Sequence, residues 1–184
     1  MRHFFPRLPE NAASIRLAAM SEKNLTYSDV LRAFSSSQIR YAIVGGFAVV
    51  AHGAMRLTMD LDLAITLNTH DLKKAWEILK QLDFKIQQPV LKSDFVNPTR
   101  LKQIAQEKHA RALTFYHAKQ PYLVIDLMID ENAELKDEEI VEMFFLGVRC
   151  PIITLKKLIE LKAKSDREKD LADARSLRKI KKSK

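Results

Sequence analysis

Three aspartates carry the chemistry this chain offers: Asp60 and Asp62, one residue apart in an apolar run, and Asp126 inside Leu123-Val124-Ile125-Asp126-Leu127-Met128-Ile129. Side chains two apart on a strand point to one face, so Asp60 and Asp62 emerge together. A carboxylate flanked by apolar residues needs a partner if it is buried, because an unpaired charge in a core is very costly. Mg²⁺ takes oxygen ligands, and a pair of such ions would satisfy all three acids. In a two-metal displacement one ion activates the attacking hydroxyl and the other stabilises the leaving oxygen. Ahead of the acids, Gly45-Gly46 follows the apolar run Tyr41-Ala42-Ile43-Val44, which reads as a short buried strand. A Gly-Gly turn lets backbone approach an anion closely. The helix read from Phe47 to His52 would point its N-terminal N–H groups back at that turn, as an anion site requires. Positions 47 to 59, thirteen residues between Gly46 and Asp60, leave room for one short helix and a turn.

Arg56 and Thr58 share strand parity with Asp60 and Asp62 and would face the same way. Arg56 reads as a phosphate partner, as a clamp on an aspartate, or as an exposed loop arginine. His52 ends its helix just before Gly53, where the helix dipole favours a histidine, and reads as structural. The other histidines have no metal-ligand spacing. Asp130 has the parity of Asp126 but opens the polar run Asp130-Glu131-Asn132 and reads as solvated. Near the C-terminal end, Leu155, Leu158, Ile159 and Lys162 share one helical face, where a lysine can simply snorkel at the edge of the core.

The string Gly45-Gly46-Phe47-Ala48, His52-Gly53, Arg56, Thr58, Asp60-Leu61-Asp62-Leu63 resembles the signature of the nucleotidyltransferase superfamily. That signature is a Gly-Gly or Gly-Ser turn, a short helix, an Asp-x-Asp strand and a third strand-borne acid. The string is most similar to the AbiEii-type branch, which holds toxin-like enzymes. The resemblance runs from about Ile39 to Ile65 and returns at Asp126. It returns again in Leu158-Ile159-Glu160-Leu161-Lys162 and Arg167-x-Lys169-Asp170-x-x-Asp173. It implies a nucleotidyltransferase-like α+β fold with a small mixed β-sheet flanked by helices. It also implies Mg²⁺-dependent transfer of a nucleoside monophosphate from an NTP to an acceptor hydroxyl. In that reading Asp60 and Asp62 hold two ions, while Asp126 holds the ion nearer the acceptor and helps remove its proton. Gly45, Gly46, Arg56 and Thr58 would bind the nucleotide. Lys162 and Asp170 would complete the catalytic group, with Arg167, Lys169 and Asp173 as lesser candidates. A lysine there would neutralise triphosphate charge. Gly46 stands where many relatives have serine, so backbone N–H groups must hold the phosphate without a hydroxyl.

The elements that must position these residues fit one domain, since 184 residues suit a single core. Residues 1–22, with Pro6 and Pro9, read as a poorly ordered extension, and Met20 is an alternative start. A single domain is expected over 23–178, followed by a basic tail over 179–184. The pattern predicts a helix from Thr26 to Phe34, the strands Tyr41–Val44 and Asp60–Ile65, and a helix capped by Asn68-Thr69-His70-Asp71. A short strand over Phe84–Gln88 and a polar connection over Leu91–Lys108 come next. Leu113–Tyr116 and Tyr122–Ile129 read as a hairpin with Asp126 on its second arm. A helix over Asp137–Phe144, a strand near Val148-Arg149-Cys150 and two helices after Thr154 complete an α+β alternation.

The single cysteine, Cys150, excludes an intrachain disulfide and a Cys-rich zinc site and points to a reducing, cytoplasmic setting. No apolar run approaches the ~18 residues of a membrane span. The start, Met1-Arg2-His3-Phe4-Phe5-Pro6, lacks the sustained apolar region of a cleaved signal. A net charge of +8 favours anionic partners. Those consistent with it are NTP, an RNA such as tRNA as acceptor, or an acidic protein such as an antitoxin. A protein side chain or a small antibiotic-type molecule is an alternative acceptor. A nucleotide- or RNA-binding regulatory module without chemistry is the rival of another class, although such a module has no need of three clustered acids.

Overall fold

A computed structural model describes residues 24–130 and 134–183. The extension expected over 1–22 lies outside the described residues. The core of the fold is a seven-stranded mixed sheet in the order β3-β4-β5-β2-β1-β7-β6. Its strands are β1 (Tyr41–Ile43), β2 (Asp60–Ile65), β3 (Phe84–Ile86), β4 (Ala112–His117), β5 (Val124–Met128), β6 (Ile140–Phe145) and β7 (Val148–Ile153). The pairs β2–β5 and β1–β7 are parallel; the other four are antiparallel. The helices are α1 (Tyr27–Ser36), α2 (Gly45–Ala51), α3 (Thr69–Gln81), α4 (Lys92–Phe95), α5 (Pro98–Glu107), α6 (Leu155–Ala163) and α7 (Glu168–Ser183). This is the α+β architecture with a mixed sheet and flanking helices that the sequence predicts.

Alternation along the central strands decides which face holds the core and which is left for chemistry. Leu61 and Leu63 of β2, Ile125 and Leu127 of β5, and Leu113 and Phe115 of β4 are fully buried. They meet α3 and the helices after β3, where Trp76, Phe95 and Phe115 form edge-on and tilted ring contacts 5.1 to 6.4 Å apart. The intervening residues Asp60, Asp62, Thr114 and Asp126 point to the opposite face. The apolar residues that hold the sheet together therefore leave its polar residues on one surface.

Two expectations are corrected by the fold. The segment 91–108 is not a loose connection but carries α4 and α5. Asn97 accepts the Arg100 amide, Pro98 occupies the first turn, and Leu101 and Ile104 are buried. The segment 137–144 is not a helix. Asp137–Glu139 is one 3-10 turn, and Ile140–Phe145 forms a hairpin with β7 across Leu146-Gly147, both at positive φ. That two-residue turn matches the twist of the strands, and the β-branched and aromatic side chains of Ile140-Val141-Glu142-Met143-Phe144-Phe145 suit an extended chain. Residues 179–183 of the basic tail continue α7. Among the described residues no helix is long and apolar enough to cross a membrane.

Candidate active site

A single row of side chains crosses three strands. The parallel register places Asp62 directly beside Asp126, and the antiparallel register places Thr114 beside Asp126 on its other flank. Adjacent strands lie about 4.8 Å apart, so the two carboxylates are immediate neighbours on one face. Thr114 donates its hydroxyl to Asp126 Oδ1 at 2.7 Å, and its amide donates to Gln88 Oε1 at 3.0 Å. Asp60 shares the face but stands at the exposed first residue of β2, opposite Val124.

Burial pushes the Asp62 carboxyl above its usual range. The Gly46 amide and the Lys162 charge oppose that rise, and neighbouring Asp126 and Asp60 add to it. Burial likewise raises Asp126, against the Thr114 hydrogen bond and with help from Asp60. The result is a pocket of concentrated negative charge that a divalent cation would relieve. Among the described residues, no three acidic, histidine or cysteine side chains are gathered closely enough to hold an ion by themselves. A hard cation that takes one or two carboxylates and completes its shell with phosphate oxygens fits the Asp62–Asp126 pair; Mg²⁺ is such an ion.

The glycines lie against this pair. They form the first turn of α2 rather than a turn ahead of it. Val44 donates its amide to the Asp62 carbonyl at 3.0 Å, and Gly46 donates to Asp62 Oδ2 at 3.2 Å. The Gly46 amide expected for phosphate is thus committed to the aspartate here. Gly45 has φ +59°, and a Cβ there would fall 1.8 Å from Asp62 Oδ2 and 2.4 Å from its Cγ. A Cβ on Gly46 would fall 2.2 Å from Thr58 Oγ1 and 3.3 Å from Arg56 Cζ. Thr58 and Arg56 therefore stand against Gly46. Gly45→Ala is expected to destabilise the fold by about 1–2 kcal/mol from backbone strain alone, with a further loss from the overlap. A denaturant melt checks this. In an Asp62→Ala background, which removes the two nearest overlapping atoms, most of the further loss disappears.

Behind Arg56 lies a second charged cluster. Lys162 of α6 is 8% exposed and reaches Asp170 Oδ1 at 2.5 Å and Asp173 Oδ2 at 3.1 Å. Asp173 also receives Arg56 Nη1 at 2.5 Å. Asp170, only 1% exposed, accepts from Lys162, from Ser165 Oγ at 2.7 Å and from Arg167 Nε at 2.7 Å. Burial would raise the Asp170 carboxyl, but these donors and the Lys162 and Arg167 charges together hold it down at about 2. Lys162 and Asp170, the pair that the resemblance adds to the catalytic group, are ion-paired here, and the Lys162 charge acts on Asp62. Both Asp170 oxygens are occupied, whereas Asp173 links the lysine to Arg56 and so to the glycine turn. Asp173, a lesser candidate in the sequence, is the residue that bridges the two halves of the site. His52 Nε2 meets the Ile153 carbonyl at 2.8 Å in the core, a structural setting. Asp130 is not simply solvated; it pairs with Arg111 at 3.2 Å.

One further residue lies outside everything the sequence singles out. Tyr27, in the first turn of α1, places its hydroxyl between the starts of β2 and β5. No sequence signal marks it, because a lone tyrosine after a helix cap reads as core.

Four solved structures allow this arrangement to be compared with known proteins. The lincosamide antibiotic adenylyltransferase LnuA with lincomycin bound superposes with a TM-score of 0.55 at 17% identity, over 82% of this chain and 93% of that one. ANT(2")-Ia in complex with adenylyl-2"-tobramycin gives 0.53 at 13% identity, over 91% and 93%. An antigenic nucleotidyltransferase-like protein from Paracoccidioides brasiliensis gives 0.50 at 18% identity, over 82% and 72%. The solution structure of ANT(2'')-Ia gives 0.54 at 13% identity, over 94% and 84%. The fold is nucleotidyltransferase-like. No protein-family model matches the chain, and no curated protein matches it. Within the nucleotidyltransferase-like fold, the acids stand on the sheet beside the glycine turn, and α6 and α7 bring the lysine cluster to the same end.

Proposed function

We propose that this chain is a nucleotidyltransferase that moves a nucleoside monophosphate from an NTP to an acceptor hydroxyl. The observation that carries the reading is the parallel register of β2 and β5, which sets Asp62 against Asp126 beside Gly45 on a fold of this kind. Asp62 and Asp126, with Asp60 at the strand's start, would hold Mg²⁺, which supplies electrostatic stabilisation of the phosphates when bound. Arg56 and Thr58 flank the glycine turn and would orient the triphosphate, while Asp173 holds Arg56 in place. Lys162, whose charge already acts on Asp62, would offset triphosphate charge from the far side. Asp170 would serve this function by fixing Lys162, since neither of its oxygens is free of a donor. Asp126, as the resemblance implies, would take the acceptor's proton.

For the acceptor we favour RNA. Arg175, Lys179 and Lys182 are exposed on the side of α7 away from its buried residues Asp170, Asp173, Ala174 and Leu177, and Arg178 and Lys181 are exposed as well. Such a basic face suits a phosphate backbone. The neighbours that carry lincomycin and adenylyl-tobramycin support a small-molecule hydroxyl as the second reading. The likeness of the glycine and aspartate string to the AbiEii-type branch supports a toxin-like role with an antitoxin partner, which an adjacent antitoxin gene would test.

The deciding experiment incubates the protein and Mg²⁺ with each NTP labelled at the α-phosphate, offered total RNA, lysate protein or aminoglycoside and lincosamide mixtures. A labelled acceptor in any arm supports transfer, and the arm names the class. No labelled species, together with no calorimetric NTP binding, sinks the proposal. If RNA is the acceptor, replacing Arg175, Arg178, Lys179 and Lys182 by serine should weaken RNA binding. It should also flatten its salt dependence by roughly 0.7 to 0.9 per lost phosphate contact in log–log slope. NTP binding should be unchanged. Full RNA modification by the serine variant at high salt would remove the α7 face, and with it the argument from basic charge, from the reading.

A further inference from the structure

Resting on the nucleotidyltransferase reading, we infer that Tyr27 is a positioning residue for transfer: its hydroxyl clamps the starts of β2 and β5 and so holds Asp60 and Asp62 against Asp126. The β2–β5 ladder begins at the pair Asp60–Val124, and Asp62–Asp126 lies only two residues further in. The end of a ladder is where pairing opens most easily. Tyr27 is built into that end. Its hydroxyl accepts the Val124 amide at 2.9 Å and donates to the Met59 carbonyl, with the Val124 carbonyl 3.1 Å away. One hydroxyl therefore ties together the residue before Asp60 and the residue opposite it. Its ring stands edge-on to Phe47 at 5.1 Å, which links the same clamp to α2 and the glycine turn.

The segment that delivers Tyr27 is itself fixed. Gln120 Oε1 accepts the Leu25 amide at 2.8 Å, and Gln120 Nε2 donates to the Leu25 carbonyl at 3.2 Å. Thr26 and Asp29 close a capping box over the first turn of α1. The hydroxyl therefore arrives at the strand ends on a rigid mount. A small shift of the β2 start would move Asp60 directly and Asp62 by less, which would change how the acids share an ion. Partners that orient ligands from outside a metal site typically change affinity by about 10- to 100-fold when removed.

The test compares Tyr27→Phe with Val30→Ala. Val30 is a fully buried apolar residue of α1, the helix that carries Tyr27. Mn²⁺ with a non-hydrolysable NTP analogue is titrated into each folded protein, with binding read by calorimetry and by the Mn²⁺ paramagnetic signal. Tyr27→Phe should weaken Mn²⁺–nucleotide binding by on the order of 10-fold and speed exchange of the Val124 amide. Val30→Ala should lower the melting temperature at least as much yet leave binding as in wild type. Wild-type affinity in Tyr27→Phe overturns the inference and leaves the nucleotidyltransferase reading standing. Equal weakening in Val30→Ala also overturns it, because loosening α1 would then suffice. If the wild-type protein does not bind the Mn²⁺–nucleotide pair, the nucleotidyltransferase reading falls first and this inference with it.

Discussion

Asp62→Asn and Asp126→Asn are each expected to abolish transfer while raising the melting temperature. The two carboxylates stand side by side with burial holding both above their usual range, so keeping them ionised works against the fold. The sign follows directly. An acid whose folded pKa is raised destabilises the native state once both folded and unfolded forms are ionised, and that effect disappears below the unfolded value of about 3.9. The stability gain of either variant should thus be largest at neutral pH and vanish below about pH 4. An amide keeps the shape, and at position 62 its oxygen can still accept the Gly46 N–H. It cannot supply charge to a cation or take a proton from a hydroxyl. Loss of several kcal/mol of electrostatic stabilisation is worth about three orders of magnitude in rate. Thermal melts across pH, paired with transfer assays, check both halves. Near-normal transfer by either variant would end the metal-site reading, and a lowered melting temperature would mean that the carboxylates are structural partners.

The acid pair was legible in the sequence because strand parity is a local property. Asp60 and Asp62 had to share a face, and the apolar flanks of Asp126 marked a strand that could reach them. The glycine turn was legible in kind, yet its detail was not. That Gly45 must lack a Cβ because Asp62 stands against it depends on packing across the sheet. Arg56 and Thr58 precede β2, which begins only at Asp60, so strand parity does not govern them; it is the packing of that segment that brings both against Gly46. Helix α5 carries its own signal in Asn97-Pro98, but the polarity of the 91–108 segment as a whole reads as a connection. The strand at 140–145 reads as a helix because the acids just before it, Asp137 to Glu139, resemble a helix N-terminus, whereas its pairing partner lies across a two-residue turn. Tyr27 and the bridging role of Asp173 could not be read at all. Met59 and Val124, which the Tyr27 hydroxyl joins, and Arg56, which Asp173 holds, are 32 to 117 residues distant from them, and only the tertiary fold brings them together.

Lys162→Ala is expected to cost both stability and turnover, and the two losses can be separated. The lysine sits between Asp170 and Asp173, and removing it leaves two buried carboxylates short of a cation. Breaking a buried pair in this way typically costs about 3–5 kcal/mol. Arg167 and Ser165 still serve Asp170, and Arg56 still serves Asp173, so the lower end of that range, about 3 kcal/mol, is the expectation. The pH dependence carries the same signature. Asp170 is held at about 2 in the fold, so its contribution is present above the unfolded value near 3.9 and is lost as pH falls toward 2. In Lys162→Ala that acid-side loss should shrink, because less of the depression remains. Transfer is then measured at a temperature where the variant is fully folded by circular dichroism. Turnover lost under those conditions places the lysine's charge on the triphosphate, as its action on Asp62 suggests. Normal turnover in the folded variant would instead confine Lys162 to anchoring α6 on α7, and the arginine held by Asp173 would be left as the cation nearest the glycine turn.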